Sequence, residues 1–416
     1  MVHGPRQCGK TTLALQVGGP RGYSYMTLDD EVVLQSARRD PVGFVLDLPD
    51  RVILDEIQRV PSVFLALKRS VDRNRVPGRF ILTGSSNVLL VPQLADSLAG
   101  RMQAVRLHPY SQMEIGRQPR TGSFIGRLFA GRFSKRRSER MGRRLYSRIT
   151  TGGYPPALLR RAGPRRVAWY RNYIESQVQR DVRDLARIRS LEVLPRLLTL
   201  AGNVTGQLFN LVRLSSPFQV SRNTIRDYFT LLERQFLVER PPPWHSNRLN
   251  RLVKTPKIHV GDTGLACALI GADPEELAAN RSILGQMLET FVYQELRRQE
   301  SGLDESYSFY HFRDRDGAEV DIVIERGLSQ IAGVEVKAAA TVAGSDFRGL
   351  RKLRSAAGSR FACGAVLYDG EASVSFGDRL CALPLRALWE DDRSESWRLG
   401  QRSGATLHTI PTEPTR

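Results

Sequence analysis

The feature that most constrains this chain lies in its first dozen residues, which follow the spacing G-x-x-x-x-G-K-[ST]. The eight positions are Gly4, Pro5, Arg6, Gln7, Cys8, Gly9, Lys10 and Thr11. Glycines in such a loop let backbone amides point inward at phosphate oxygens, the lysine reaches the β- and γ-phosphates, and the hydroxyl binds Mg²⁺. From Thr12 onward we expect a helix whose N-terminus attracts the same anion. The motif predicts a nucleotide site, with a chance match in a glycine-rich turn as the alternative.

A short apolar run that ends in two acidic residues strengthens this interpretation. Residues 51–56 have the composition of a fully buried parallel strand. Asp55 stands at its carboxyl end, where ligands bind in open α/β sheets, and is predicted to hold Mg²⁺ through water. Glu56 is predicted to polarise the attacking water. Together with the glycine-rich loop, the acidic pair favours ATP and Mg²⁺ as ligands.

Further apolar runs complete an α/β architecture. Strands predicted at 23–28, 79–83 and 103–107 join the acidic run, and we expect a five-stranded parallel sheet with helices between the strands. Ser85 follows one of these strands and is predicted either to sense the γ-phosphate or to be an ordinary polar exit. Only three residues precede Gly4, whereas a strand usually has about five. We therefore expect a shortened first strand or a start placed too far downstream.

The net charge of +19, from 62 Lys and Arg against 43 Asp and Glu, favours contact with phosphate polymers such as DNA. A bias toward arginine in the genome is the competing explanation. Residues 117–148 are crowded with arginine and contain a single acid, Glu139. Like charges repel, so this segment is predicted to be a mobile loop, either as an arm that contacts the phosphate backbone or without any partner.

The cysteines give an expectation about the compartment. Cys8, Cys267, Cys363 and Cys381 form no C-x-x-C pair, so neither a zinc site nor a disulfide framework is indicated. No apolar run is long enough to span a membrane, and no secretory signal precedes the glycine-rich loop. We expect a cytoplasmic protein that makes no membrane contact.

The middle of the chain contains a segment that resembles a winged helix-turn-helix. Ser221 is a credible N-cap, and four apolar residues fall on one face of the helix that follows it. These are Ile225, Tyr228, Phe229 and Leu232. Three polar residues near the helix start, Arg222, Asn223 and Arg226, have the layout needed to enter a DNA groove. The same layout also serves protein–protein docking.

The last third carries a constellation of acids and lysine. A helix is predicted at 285–296, with strands at 319–324 and 333–337. Alternation along a strand puts Glu335 and Lys337 on one face, and Asp321 can lie beside them. Asp321 and Glu335 are predicted to hold a second Mg²⁺, with Glu289 and Lys337 completing the site.

This order of residues is similar to the PD-(D/E)XK nuclease superfamily. The alternative is a structural ion-pair cluster in a fold without catalysis.

Taken in order, the motifs resemble the bacterial and archaeal AAA-type ATPases that join a P-loop domain to the domain of unknown function DUF4143. The matching stretches are residues 4–12, 25–30, 52–56, 81–86, 98–101, 107–109 and 152–155, with more in the C-terminal half. The resemblance implies an AAA-like fold, binding of ATP and Mg²⁺, and hydrolysis. It also implies that Arg101 is a phosphate-sensing or finger arginine. A homo-oligomer is a further expectation.

These observations predict a succession of domains. A P-loop AAA-type sheet spans 1–115, a basic insertion 116–150, a helical and winged-helix-like region 151–250, a small nuclease-like α/β domain 251–375 and a C-terminal extension with a loose tail 376–416. Three functions stay open: an ATP-binding, DNA-associated switch, an ATP-regulated metal-dependent nuclease, and an ATPase that acts on protein partners.

Overall fold

The computed structural model describes residues 1–87, 100–117, 122–134, 137–177, 193–211, 215, 218, 220–247, 255–390 and 396–398. The chain begins with a five-stranded sheet in which the paired strands are parallel. The strands are β1 (Val2–His3), β2 (Ser24–Thr27), β3 (Val52–Asp55), β4 (Phe80–Gly84) and β5 (Val105–Arg106), in the spatial order β2-β3-β4-β1-β5. The five-stranded parallel sheet predicted from the sequence is confirmed.

The first strand is short but paired on both sides. Val2 lies opposite Thr83 on β4 and Val105 on β5, and the amino group of Met1 donates to the carbonyl of Gln103 at 2.6 Å. Two residues therefore suffice to fix β1 between its neighbours and to direct the glycine-rich loop out of the sheet.

Helices accompany these strands and supply the core beneath the loop. They are α1 (Lys10–Gly18), α2 (Glu31–Arg39), α3 (Pro41–Leu46) and α4 (Ser62–Arg73). Asp30 caps α2 by accepting the backbone N–H groups of Val32 and Val33, as expected for an acid at this position. β3 is buried at every residue, which explains its uninterrupted apolar run.

The arginine-rich segment after the sheet is folded where the structure describes it. α5 (Gln112–Ile115) precedes the segment, and α8 (Pro155–Leu158) and α9 (Pro164–Ser176) follow it. Between them, the segment forms α6 (Phe124–Ala130), β6 (Arg132–Ser134) and most of α7 (Arg143–Thr151). The prediction of a mobile basic loop is wrong for these residues. Phe124, Ile125 and Leu128 are fully buried in the largest hydrophobic core, while Arg132 and Arg144 stay exposed. The spacing of Phe124, Ile125 and Leu128 fits one buried face of α6, and the many surrounding arginines hid this apolar pattern in the sequence.

The next part of the chain is mainly helical. It contains α10 (Val193–Asn203), α11 (Arg222–Arg234), β7 (Val238–Glu239), β8 (His259–Val260), α12 (Thr263–Ile270) and α13 (Pro274–Ala279). The predicted cap of α11 is confirmed, since the Ser221 hydroxyl accepts the N–H of Thr224 at 3.1 Å. The four apolar residues predicted to share one face are all buried. β7 and β8 pair in antiparallel fashion.

A second sheet with six strands forms the C-terminal α/β part. After the long helix α14 (Arg281–Glu300) come β9 (Tyr307–Arg313), β10 (Glu319–Arg326), β11 (Gln330–Lys337), α15 (Arg348–Ala357), β12 (Phe361–Tyr368), β13 (Val374–Ser375) and β14 (Leu380–Pro384). The spatial order is β13-β14-β12-β11-β10-β9, with parallel pairing of β12 to both β11 and β14. The helix and strands predicted around Glu289, Asp321 and Glu335 are present. The sheet continues through β14, beyond the boundary drawn at residue 375.

The described chain closes with β15 (Ser396–Arg398), which pairs antiparallel with β6. The polar tail predicted at 401–416 lies outside the described residues. Within the described ranges, every helix is too short or too polar to cross a membrane.

Candidate functional site

The glycine-rich loop joins β1 to α1 and has the geometry of a phosphate cradle. Gly4 passes so close to β5 that a Cβ there would lie 2.0 Å from the Leu107 carbonyl oxygen, which excludes any side chain. Gly9 adopts a φ of 99° and precedes α1 without a side-chain cap from the described residues. The first N–H groups of α1 therefore face the loop, where they can bind an anion.

Lys10 is held inside this loop. Its side chain is 5% exposed, and Nζ donates to the Pro5 carbonyl at 2.8 Å. A buried ammonium that is satisfied by a loop carbonyl can exchange that oxygen for a phosphate oxygen with little rearrangement. The position of Lys10 fits a bound nucleotide.

The remaining loop residues fix the shape of the loop. Cys8 is buried and its thiol donates to the Pro5 carbonyl at 2.9 Å. Burial raises the pKa of this thiol, so it stays protonated. The Arg6 carbonyl accepts the Tyr173 hydroxyl of α9 at 3.4 Å. Gln7, at a φ of 60°, is exposed. The helical region thus contacts the loop directly.

The predicted magnesium ligands meet across α1 and β3. The Thr11 hydroxyl donates to Asp55 Oδ2 at 2.9 Å, and Tyr25 on β2 donates to the same oxygen at 2.9 Å. Thr83 on β4 donates to Asp55 Oδ1. A hydroxyl and a carboxylate in contact at the strand ends form the oxygen donor set that Mg²⁺ prefers when it also binds phosphates. The residues present fit this ion.

Glu56, the predicted water-polarising residue, belongs to a small polar network. The hydroxyl of Ser85 donates to Glu56 Oε2 at 3.0 Å. Gln58 donates to the Glu56 carboxylate and also to the Ser85 hydroxyl at 2.9 Å. Ser85 therefore contacts the acid beside the nucleotide site. Gln58 was missed by sequence reasoning, although its position two residues after Glu56 was a usable signal.

Arg101 is not near the loop. It pairs with Asp72, at the end of α4, with Nε 2.6 Å from Oδ1. Gln103, two residues after Arg101, bonds to Met1, so Arg101 and its partner Asp72 lie at the end of the sheet where β1 begins. The glycine-rich loop leaves the opposite end of β1. Arg101 lines a cavity of about 900 Å³ at that end together with Arg75. The expectation that Arg101 senses phosphate is therefore wrong for the nucleotide site of its own chain.

A cluster around Glu239 joins the first sheet to the rest of the molecule. Arg106 of β5 contacts Glu239 Oε1 at 2.5 Å, and Arg297 of α14 contacts Oε2 at 3.2 Å. Tyr293 donates to Oε2 at 3.1 Å. Burial favours the protonated acid, but the two guanidinium groups outweigh burial and hold the pKa of Glu239 well below its usual range. Because His3 pairs with Arg106, this cluster adjoins the start of the loop.

A second buried network fixes the glycine pair after α7. Asp262 accepts the Gly153 N–H at 2.7 Å and the Tyr170 hydroxyl at 3.1 Å. Arg298 pairs with Asp262 at 2.8 Å and donates to the carbonyl of Tyr110 at 3.0 Å. The matched motif at 152–155 therefore has a structural role between α7, α12 and α14.

The C-terminal residues predicted to hold a second metal do come together. Glu335 Oε1 accepts Lys337 Nζ at 2.8 Å, and Asp321 Oδ2 accepts the Val336 N–H at 2.9 Å. Sequence reasoning missed Lys257, whose Nζ lies 2.7 Å from Glu289 Oε1 and 3.0 Å from Asp321 Oδ1. No signal near Lys257 in the sequence pointed to this contact.

Burial and neighbouring charges shift the pKa values of all three acids in this cluster. Burial, followed by the repulsion of Asp321, raises the pKa of Glu335 to about 8. Burial and Asp321 also raise the pKa of Glu289 well above its usual value. For Asp321 burial acts in the same direction, but Lys257, the Val336 N–H and Lys337 together outweigh burial and lower the pKa. Across the described residues, His, Cys, Asp and Glu side chains form no group of three placed to hold a metal ion.

The helix predicted to recognise DNA has one exposed and one docked end. Arg222, Asn223 and Arg226 are exposed at its start. At its other end the Arg234 carbonyl accepts the Asn87 N–H at 2.7 Å, two residues after Ser85. α11 therefore rests on the loop that leaves β4 and presents its polar end to solvent.

Comparisons with known proteins match this architecture part by part. A family model described as an AAA domain matches residues 1–116, the domain of unknown function DUF8612 matches 142–276, and DUF4143 matches 284–388. Uncharacterized proteins of Mycobacterium bovis and Mycobacterium tuberculosis are each 30% identical over 386 residues, covering 92% of this chain and 79% of theirs. An uncharacterized protein of Haemophilus influenzae is 25% identical over 260 residues, 61% of this chain and 58% of its own.

The order of the matched domains and the coverage by relatives agree with the resemblance seen in the motifs. The chain belongs to the family of AAA-domain proteins that carry a C-terminal DUF4143 domain.

Proposed function

We propose that this chain binds ATP with Mg²⁺ at the junction of the glycine-rich loop, α1 and β3, and hydrolyses it. The observation that carries the proposal is the contact between the Thr11 hydroxyl and Asp55, 2.9 Å apart, immediately before Glu56. This pairing brings the metal-binding oxygens to the mouth of the loop, next to an acid that can act on water.

Each side chain has a distinct part in the proposed reaction. Lys10 leaves the Pro5 carbonyl and binds the β- and γ-phosphates, while the N–H groups at the start of α1 bind phosphate oxygens. Thr11, with Asp55 through water, would hold Mg²⁺, and the ion would supply positive charge to neutralise the charge that develops on the transferred phosphoryl group. Glu56 orients and polarises the attacking water. Ser85 and Gln58 keep the Glu56 carboxylate in position through their hydrogen bonds.

The test separates binding from hydrolysis. Glu56→Gln removes the charged base while keeping a similar shape, so we expect steady-state hydrolysis to fall about 10²- to 10⁴-fold with ATP affinity retained. The matched control is Glu31→Gln, an exposed acid in the first turn of α2, which should hydrolyse at the rate of the unmodified chain. Hydrolysis by Glu56→Gln at the unmodified rate would contradict the role given to Glu56.

We further propose DNA as the macromolecular partner, bound through the exposed start of α11. The net charge of +19 supports an anionic partner, and Arg222, Asn223 and Arg226 offer groups suited to a groove. A protein partner on the same face is the competing proposal. DNA is favoured because the charge excess is concentrated in residues 101–200, which contain 23 Lys and Arg against 6 Asp and Glu and precede this helix in the chain.

A finger role for Arg101 requires a second copy of the chain. Its pairing with Asp72 lies at the opposite end of the sheet from the loop. If Arg101 contacts a phosphate, that phosphate belongs to the site of a neighbouring copy, and the protein then acts as a homo-oligomer.

A further inference from the structure

The C-terminal cluster lies where the nuclease resemblance predicts Mg²⁺, yet another cation is already there. The Nζ atom of Lys257 contacts Glu289 at 2.7 Å and Asp321 at 3.0 Å. Lys257 is 5% exposed, so its ammonium is removed from water and depends on these carboxylates for its hydrogen bonds. It bridges Asp321, one of the two acids predicted to hold the metal, to Glu289, the acid predicted to complete the site.

Each acid of the cluster has at least one carboxylate oxygen in contact with a lysine ammonium group. Asp321 Oδ1 accepts Lys257 and Oδ2 accepts the Val336 N–H. Glu335 Oε1 accepts Lys337. Glu335 Oε2 is buried without a hydrogen-bond partner among the described residues. Glu289 Oε1 also accepts Lys257. Each of the three acids therefore already holds an ammonium group, which a divalent ion would have to displace to reach the near-octahedral oxygen coordination that Mg²⁺ needs.

The charges of the cluster also argue against a bound divalent cation. The three carboxyl groups of Glu289, Asp321 and Glu335 face the two ammonium groups of Lys257 and Lys337. A divalent cation between the same acids would meet the ammonium of Lys257 at close range in a poorly solvated site. Repulsion at such separations is strong when water does not screen it.

We infer that Lys257 is the built-in cation of the C-terminal domain and takes the position at which related folds hold a divalent metal. The acids and lysines then clamp the chain before β8 onto α14, β10 and β11. Lys257 also lines a cleft of about 370 Å³ together with Gln207, Asn210 and Arg313. The domain therefore acts without a metal, as a binding module, and does not cleave DNA through metal-activated water.

The experiment measures Mn²⁺ binding to the full chain without nucleotide. Every protein carries Asp55→Asn, which removes the metal-binding acid of the nucleotide site. In this background Lys257→Met deletes the ammonium at similar length, and Lys352→Met is the control. Lys352 forms an exposed ion pair with Asp316 in the same domain.

We expect the background protein and the Lys352→Met control to bind no Mn²⁺ in electron paramagnetic resonance titrations up to millimolar concentrations. Lys257→Met should bind one Mn²⁺ at least about 100-fold more tightly than the background protein does, because the competing ammonium charge is gone. A folded Lys257→Met protein that binds no Mn²⁺ would overturn the assignment of Lys257.

A second comparison keeps the inference testable if Lys257→Met does not fold. Glu335→Gln is placed in the same Asp55→Asn background, and plasmid DNA is incubated with either protein and Mn²⁺. We expect neither Mn²⁺ binding nor cleavage from either. Mn²⁺ binding or plasmid cleavage that Glu335→Gln abolishes would overturn the inference.

Discussion

Glu239 links three parts of the chain through buried ion pairs. It contacts Arg106 of the first sheet and Arg297 of the long C-terminal helix, and the three side chains are only 13 to 20% exposed. Glu239→Gln removes the charge, which leaves Arg106 without this counter-ion and Arg297 with Glu300 at 3.1 Å in its place. Breaking a buried ion pair in this way costs about 3–5 kcal/mol, and since these groups are slightly exposed we expect about 2–4 kcal/mol.

The same residue predicts a pH dependence with a definite sign. The folded pKa of Glu239 is lowered, so its stabilisation is complete above the unfolded pKa of about 4.3 and is lost as the pH falls below it. Over that acidic range, this one residue contributes up to about 1.4 kcal/mol per pH unit to the loss of stability. Glu239→Gln should therefore show a shallower decline in stability below pH 4 than the unmodified chain.

Urea unfolding followed by tryptophan fluorescence, at pH 7 and in steps from pH 5 to pH 3, measures both effects. The control is Glu139→Gln, which breaks an ion pair with Arg144 in which both partners are more than two-thirds exposed, together with a longer contact of 3.8 Å to Arg386. That pair is worth about 0–1 kcal/mol. Suppose Glu239→Gln cost no more stability than Glu139→Gln and lost stability below pH 4 as steeply as the unmodified chain. The buried Glu239 ion pairs would then not stabilise the fold, and the prediction would be wrong.

Two further predictions concern the glycine pair and the polar helix face. A Cβ at Gly152 would lie 2.1 Å from Asp262 Oδ1 at a φ of 67°, so Gly152→Ala should lower the free energy of unfolding by about 2–4 kcal/mol in urea titrations. Gly163→Ala, at a φ of 93° with open space around it among the described residues, should cost about 1–2 kcal/mol, from backbone strain alone; equal costs would count against the contact. Arg226→Glu should weaken DNA binding in low salt about tenfold or more, measured by fluorescence anisotropy. The same change at Arg165, exposed on α9, should weaken it less than about twofold, and equal losses would argue against α11 as the contact.

Local patterns in the sequence predicted the elements whose partners are close along the chain. The glycine spacing before Lys10 and the apolar run that ends at Asp55 each encode a strand end, and parallel strands bring their ends together at one edge. The Ser221 cap and the apolar face of α11 were predicted because both depend only on helical spacing.

Contacts between distant parts of the chain could not be predicted in this way. Lys257 contacts Asp321, 64 residues further along the chain, and Arg106 contacts Glu239, 133 residues further along. The sequence around Lys257 or Arg106 does not indicate which acid each will contact. Arg101 was misplaced because the motif that contains it does not indicate which end of the sheet it occupies. The segment around Phe124 was misjudged because its charge outweighed a genuine apolar face.

The function proposed for this chain depends on nucleotide binding by the first loop, and one measurement tests this binding most directly. Calorimetric titration with ATP and Mg²⁺ compares the unmodified chain with Lys10→Ala, and Lys68→Ala on α4 serves as the control. Loss of a charged hydrogen bond to phosphate should weaken ATP binding about 10- to 100-fold in Lys10→Ala, while Lys68→Ala binds like the unmodified chain. Unchanged ATP affinity in Lys10→Ala would contradict the central claim.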